Sequence, residues 1–324
     1  AQDPIDAPAP SAAELPGPEP VPAGTVGSSL SRRTLAAYGL PMAAFMAVTM
    51  PISMYLMKYS VDVLAISPAA MGLILGASRL WDAVTDPVAG YLSDGTRSRF
   101  GRRRTWMAAS IVPVALSLWM VWSPPQGLEG LGLVLFMALA LLLYETASTA
   151  FIVPYTALGM ELSAAYHERT RLFAWRHLIG STGFAVGMAL VFSLRTAEDP
   201  RAAGQGLVIV SSLLIALAIL WAVSELREPP AHAGRGALRI RGAFADVFQN
   251  PHARLLFLVY AIEAFGASSI TALSPFVMEY VVKQPDLLEI FVVSFVVPQF
   301  ALTPLWIRLA RRWGKRRLWL MGMV

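Results

Sequence analysis

The stretch Arg79-Leu-Trp-Asp-Ala-Val-Thr-Asp-Pro87 decides the fold. It lies in the middle of an apolar run from about residue 69 to residue 92, long enough to cross a bilayer as a helix. Yet it carries three charges. Asp82 and Asp86 are one helical turn apart and share a face, and Arg79 lies one turn before Asp82 on nearly the same face. A carboxylate in the hydrocarbon zone is costly unless it is paired, hydrated or bound to a cation. Two on one face point to a protein that binds a cation inside the membrane. The competing reading is an ion pair with Arg79 that only locks helices. One guanidinium cannot neutralise two carboxylates, however, and a cation or proton fills that deficit.

The rest of the chain agrees with a membrane setting. Of 324 residues, 56% are hydrophobic and 15% charged, where a soluble domain carries about 25% charge. Apolar runs recur at regular intervals, so the class is an all-α polytopic membrane protein. The expected spans are 37–59, 69–92, 105–122, 131–158, 172–194, 206–223, 253–282 (broken near Pro275) and 287–309. Residues 1–30 are rich in Pro and Ala and read as a disordered tail. The net charge of +5 does not imply nucleic acid, because the positive residues cluster in loops. There is no Cys, and the four His lack metal-ligand spacing. Pairs of glycines four apart, Gly72 with Gly76 and Gly183 with Gly187, predict faces for close helix packing.

Lys and Arg set the expected orientation. With the N-terminus in the cytoplasm, the inner segments hold Arg32 and Arg33, the run Arg97 to Arg104, Arg169 and Arg171, a basic central loop, and Arg308 to Arg317. The outer segments hold only Lys58, Arg195, Arg201 and Lys283. The segment Arg99-Phe-Gly-Arg-Arg-Arg-Thr-Trp106 reappears as Arg312-Trp-Gly-Lys-Arg-Arg-Leu-Trp319, after spans two and eight. This spacing predicts two parallel six-span halves, the plan of many secondary transporters. Residues 31–225 are the first half, 226–252 a cytoplasmic central loop, and 253–324 an incomplete second half ending in a ninth span. The expectation is therefore a truncated fold lacking four spans.

Four segments together carry a family resemblance: Met54-Tyr-Leu-Met57 with Val61-Asp-Val63, the charged stretch 79–87, Val153-Pro-Tyr-Thr-Ala-Leu158, and Glu168-Arg-Thr-Arg-Leu172 with Arg176. The chain resembles the glycoside–pentoside–hexuronide:cation symporters of the major facilitator superfamily, the melibiose carrier-like family. The resemblance implies the major facilitator fold and a bacterial inner-membrane location. It also implies a Na⁺, Li⁺ or H⁺ site at Asp82 and Asp86, with Thr85 and Thr149 supplying further oxygens. No other cofactor is expected. The same resemblance places Arg176 against substrate. The melibiose carrier holds its sugar with carboxylates on spans one and four, and those positions are Met46 and Ile152 here. Neither can accept a hydroxyl hydrogen bond. With Phe45 and Phe151 they are expected to form an apolar wall. The family this chain resembles includes sodium-dependent lysophospholipid symporters, so the resemblance implies a lysophospholipid or other amphiphile as the alternative to a sugar or glycoside. Arg176 would then meet a phosphate.

Gly90-Tyr-Leu-Ser-Asp94, followed by Gly101-Arg-Arg-Arg104, resembles the superfamily's loop motif. Gly90, Asp94, Arg102 and Arg103 are expected to latch the two halves; topology alone is the competing explanation. For Glu145 and Glu263 a polar contact inside the bundle is as good a reading as a functional role, whereas His177 reads as a packed or hydrogen-bonded histidine and Trp81 and Trp175 as bundle packing or interface anchors. No catalytic constellation or nucleotide motif is present, so the expectation is a symporter and not an enzyme. Its partners are a small or amphiphilic solute and the lipid bilayer, and the unit is a monomer. A non-transporting membrane scaffold is the reading from another class.

Overall fold

The computed structural model of the chain describes residues 30–163, 165–228 and 250–288, with isolated positions between 290 and 321. The element order is α1 (Arg32–Met54), α2 (Leu56–Asp62), α3 (Pro68–Gly95), α4 (Arg102–Ala109), α5 (Ile111–Trp122), α6 (Gly130–Glu161), α7 (Tyr166–Arg195), α8 (Pro200–Glu225) and α9 (Pro251–Phe276). A π-helical turn, Val277–Val281, follows α9. The described residues contain no strand. The tail, most of the central loop and most of the expected eighth and ninth spans lie outside the described residues, as does most of the second basic repeat.

Among the described residues, six helical segments are long and apolar enough to cross a membrane: Arg32–Met54, Arg102–Trp122, Gly130–Glu161, Glu168–Arg195, Pro200–Glu225 and Arg254–Val281. Helix α3 is equally long but carries the three mid-helix charges. Large apolar side chains cover the outer surface of the bundle: Val112, Leu131 and Leu135 are more than half exposed. In water such a surface would be penalised, whereas in lipid it is solvated.

Local chemistry places the helix ends. Ser31 caps α1 by accepting from Thr34 N at 3.0 Å. Ser67 and Asp199 cap α3 and α8, each followed by a proline at the first helical position. Prolines place the breaks. Pro113 cannot satisfy the Ala109 carbonyl, and the third span divides into α4 and α5 at Ser110. After Pro275 the seventh span continues through the π turn, so the expected break there is a widening of the helix.

Helices α1 and α7 make the closest pair. A Cβ on Gly183 would lie 2.0 Å from the Ala43 carbonyl oxygen, and one on Gly187 would lie 2.6 Å from Met50 Cβ. Here the small-residue face predicted from the sequence does bring two backbones together. Gly72 and Gly76 behave differently, because nothing lies within 4 Å of an added Cβ at either. They face a cavity. Aromatic stacking ties α1 to α6, with the Tyr38 and Tyr155 rings 4.6 Å apart and the Phe45 and Phe151 rings also 4.6 Å apart. At the end opposite the arginine-rich turns, Lys58 of α2 pairs with Asp62 and with Glu279 of the π turn.

Candidate functional site

Helix geometry brings the site together. At about 100° per residue, Arg79 and Asp86 fall on one side of Asp82 and Thr85 on the other. On α6, Glu145, Ser148, Thr149 and Ile152 share a face by the same spacing. The two faces meet over a cavity of about 240 Å³ between α1, α3 and α6. Its polar lining is Arg79, Asp82, Asp86, Tyr144, Glu145, Ser148 and Thr149, with Thr49 and Ser53 from α1.

Thr149 Oγ1 donates to Asp86 Oδ1 at 2.9 Å, which fixes α3 against α6 and leaves the other Asp86 oxygen unengaged by that bond. Asp82 Oδ2 lies 3.4 Å from Arg79 Nη1, while Asp82 Oδ1 is buried with no hydrogen-bond partner. A buried carboxylate oxygen without a donor is costly to keep unless a cation or proton satisfies it. Glu145, a buried residue of α6, lies 3.5 Å from the same Arg79 nitrogen. The cavity therefore holds three carboxylates and one guanidinium. Among the described residues they do not converge as a compact metal cage. A hard monovalent cation would take mixed oxygens from the aspartates and Thr149.

Several expected site residues lie elsewhere. Thr85 does not line the cavity, and its hydroxyl donates to the Trp81 carbonyl of its own helix at 3.2 Å. Arg176 stands seven residues before Gly183, on the face of α7 that meets α1. Its guanidinium lies 5.4 Å from the Tyr155 ring centre and 3.8 Å from Met42 Sδ, away from the carboxylates. Met46 is half-buried and lines neither this cavity nor the larger one below. Ile152 does line the carboxylate cavity. The apolar wall expected from four residues is thus reduced: Phe151 is buried in the stack with Phe45, and Phe45 and Ile152 reach the cavity. Trp81 Nε1 donates to Thr146 Oγ1 at 2.8 Å, a tether between α3 and α6. Glu263 is exposed on α9 and lines neither cavity.

Glu145 is the site residue that sequence reasoning left undecided. Its signal is its position four before Thr149, one turn away on the same face. A second cavity of about 510 Å³ lies between α1, α2, α3, α6 and α9 and shares Ile52, Ser53, Arg79 and Glu145 with the first. It is lined by apolar Met50, Met57, Leu75 and Phe265, and by hydroxyl-bearing Ser268, Ser269 and Thr271. Arg79 thus stands at the junction of a polar and an amphiphilic space.

Among the described residues, Asp94, Arg102 and Arg103 of the expected latch form a clasp within the first six spans. Arg103 pairs with Asp94 at 3.0 Å and with Glu161 at 2.9 Å, and Arg102 pairs with Glu161 at 2.7 Å. These contacts join the ends of α3 and α6 to the start of α4. Among the described residues, none of them reaches α9. Gly90 is not forced by packing either, since an added Cβ would meet only Val153, at 3.7 Å. The Glu228 carboxylate accepts from the backbone nitrogens of Arg102, Arg103 and Arg104 at 3.0, 2.9 and 2.8 Å. It caps the positive end of α4 where Gly101, at φ 99°, turns the chain. Glu228→Ala leaves three amides without that acceptor and is expected to cost about 1–3 kcal/mol. Thermal unfolding in detergent checks it; an unchanged midpoint would show that water replaces the carboxylate.

Comparison with known proteins adds to this geometry. Residues 37–324 match the family model described as MFS/sugar transport protein. A segment of 181 residues is 32% identical to the uncharacterized symporter sll1374 of Synechocystis sp., covering 54% of this chain and 33% of that protein. A segment of 140 residues is 34% identical to the sodium-dependent lysophosphatidylcholine symporter 1-A of Danio rerio, covering 43% of this chain and 26% of that one. Over 275 residues it is 23% identical to the inner membrane symporter YicJ of Escherichia coli, covering 83% of this chain and 58% of YicJ. The chain thus spans only part of the length of these relatives.

Proposed function

Because the chain belongs to the MFS/sugar transport protein family, whose members are transporters and not enzymes, we propose that it is a cation-coupled secondary symporter. It is an integral multi-pass membrane protein of all-α major facilitator fold. The observation that carries the proposal is the pair of aspartates on α3. One oxygen of Asp86 is held by Thr149, and one buried oxygen of Asp82 has no partner beside a cavity. Na⁺, Li⁺ or H⁺ binding there supplies the missing positive charge. The proposed coupling is a linkage: the empty site suffers repulsion between like charges, an ion relieves it, and coupling arises when the arrangement that binds the ion is the one that binds solute. The solute occupies the larger cavity, and the halves rock about it in alternating access. From the Lys and Arg asymmetry we place the arginine-rich ends in the cytoplasm, and from the similarity to bacterial symporters we place the protein in a bacterial inner membrane.

Two solute classes fit the larger cavity. A sugar or glycoside agrees with the family's description and with the hydroxyls of Ser53, Ser268, Ser269 and Thr271. A lysophospholipid or similar amphiphile is favoured by the apolar Met50, Met57, Leu75 and Phe265. It is also favoured by similarity to symporters named for lysophosphatidylcholine. Uptake into proteoliposomes under an inward Na⁺ or pH gradient separates them, using a panel of glycosides and lysophosphatidylcholine. Ion-dependent uptake of either class supports the symporter and names its substrate. Ion-independent uptake of every solute would refute coupling.

A further inference from the structure

Arg79 makes both of its carboxylate contacts through one nitrogen. Nη1 lies 3.4 Å from Asp82 Oδ2 and 3.5 Å from Glu145 Oε1. Neither contact is short or bidentate, so the charge is shared between α3 and α6 and not locked to either. The side chain is 59% exposed to the space it lines and stands at the junction of both cavities. Asp82 is thus engaged on one oxygen by a tethered cation and is bare on the other.

We infer that Arg79 is a built-in competitor for the coupling cation, and that Glu145 is the seat to which its guanidinium transfers when the ion takes Asp82. This rests on the cation site proposed above and adds the regulation of that site. In the empty protein, Arg79 bridges Asp82 and Glu145 and limits the charge repulsion between the carboxylates. An arriving ion occupies Asp82 and Asp86, and it and the guanidinium repel each other. Glu145 lets Arg79 withdraw without becoming an unpaired charge in the membrane. The withdrawn guanidinium still borders the larger cavity. Ion binding at one wall therefore alters the charge presented to solute at the other, which is a physical route for coupling.

A charge acting only through its field and a competitor that changes seats give different double-mutant behaviour. Na⁺ affinity is measured by titration calorimetry on the intact purified protein, for Arg79→Gln, Glu145→Gln and the double variant. Arg79→Gln is expected to tighten Na⁺ binding and Glu145→Gln to weaken it about tenfold, within the usual coupling range of roughly 5–150-fold. In the Arg79→Gln background the Glu145→Gln effect is expected to shrink to about twofold or less. Equal Glu145→Gln effects in both backgrounds would reduce Glu145 to a distant field and overturn the inference. So would an Arg79→Gln variant that binds Na⁺ more weakly or unchanged. Arg79→Met, of similar length, is the second neutral variant if Arg79→Gln does not fold. Asp86→Asn is the separate control: Na⁺ binding that survives it would sink the cation site itself, whatever Arg79 does.

Discussion

Asp86→Asn is expected to weaken Na⁺ binding by about a hundredfold or more. Losing one charged ligand from a partly buried site costs about 3 kcal/mol, and each 1.4 kcal/mol is tenfold. The substitution is nearly isosteric. The amide oxygen of Asn can still accept from Thr149 Oγ1, which holds Asp86 at 2.9 Å, so the α3–α6 contact survives while the charge is removed. Two controls make the result specific. Thr149→Val removes one neutral oxygen and its bond to Asp86, and its expected cost of about 1 kcal/mol weakens binding only several-fold. Thr85→Val is expected to change little, because that hydroxyl is turned to the Trp81 carbonyl and does not line the cavity. Calorimetric titration of all three variants checks this ranking. Equal losses for Thr85→Val and Asp86→Asn would mean that the face of α3 is wrongly assigned.

Gly183→Val is expected to have the largest effect on folding. A Cβ at that position would lie 2.0 Å from the Ala43 carbonyl oxygen, and the neighbour is backbone, which cannot swing aside as a side chain can. Helices α1 and α7 would have to separate, and α1 also carries the Phe45 ring stacked on Phe151 and the cavity-lining Thr49 and Ser53. Overpacking of a tight interface costs about 1–3 kcal/mol, and a clash with backbone belongs at or above the top of that range. The expected readout is poor recovery from the membrane and a markedly lower unfolding midpoint. Gly72→Val is the matched control. Nothing lies within 4 Å of its added Cβ, so stability is expected to hold. A Gly183→Val protein as stable as the parent would contradict the α1–α7 contact.

The contrast between those glycine pairs shows what can be read from sequence. Spacing of four marks a small face, but not whether a helix or a void lies against it. The aspartate pair was more legible, because two charges amid apolar residues fix which face of α3 is turned inward. Helix α6 is apolar on nearly all sides, so its own pattern does not identify an inner face. The role of Glu145 therefore depends on the packing of α6 against α3, which brings it to 3.5 Å from Arg79 Nη1. Arg176 and the basic turn show another limit. Arg176 follows the close-packed face of α7 to Met42 and Tyr155, and the charges of Arg102 and Arg103 are met by Asp94 and Glu161. The identity of a partner across the bundle depends on helix rotation and approach, which local sequence does not encode.

The most direct test of the account reverses the usual direction of driving. With no ion gradient imposed, an accepted solute is added outside proteoliposomes holding the intact protein, and Na⁺ and proton entry are recorded. Linkage requires that if the ion favours solute binding, the solute equally favours ion binding. The expected result is solute-driven entry of one of these ions, abolished by Asp82→Asn and by Asp86→Asn. Solute entry without either ion, or ion entry that survives both substitutions, would contradict the account and leave the α3 carboxylates as a structural pair.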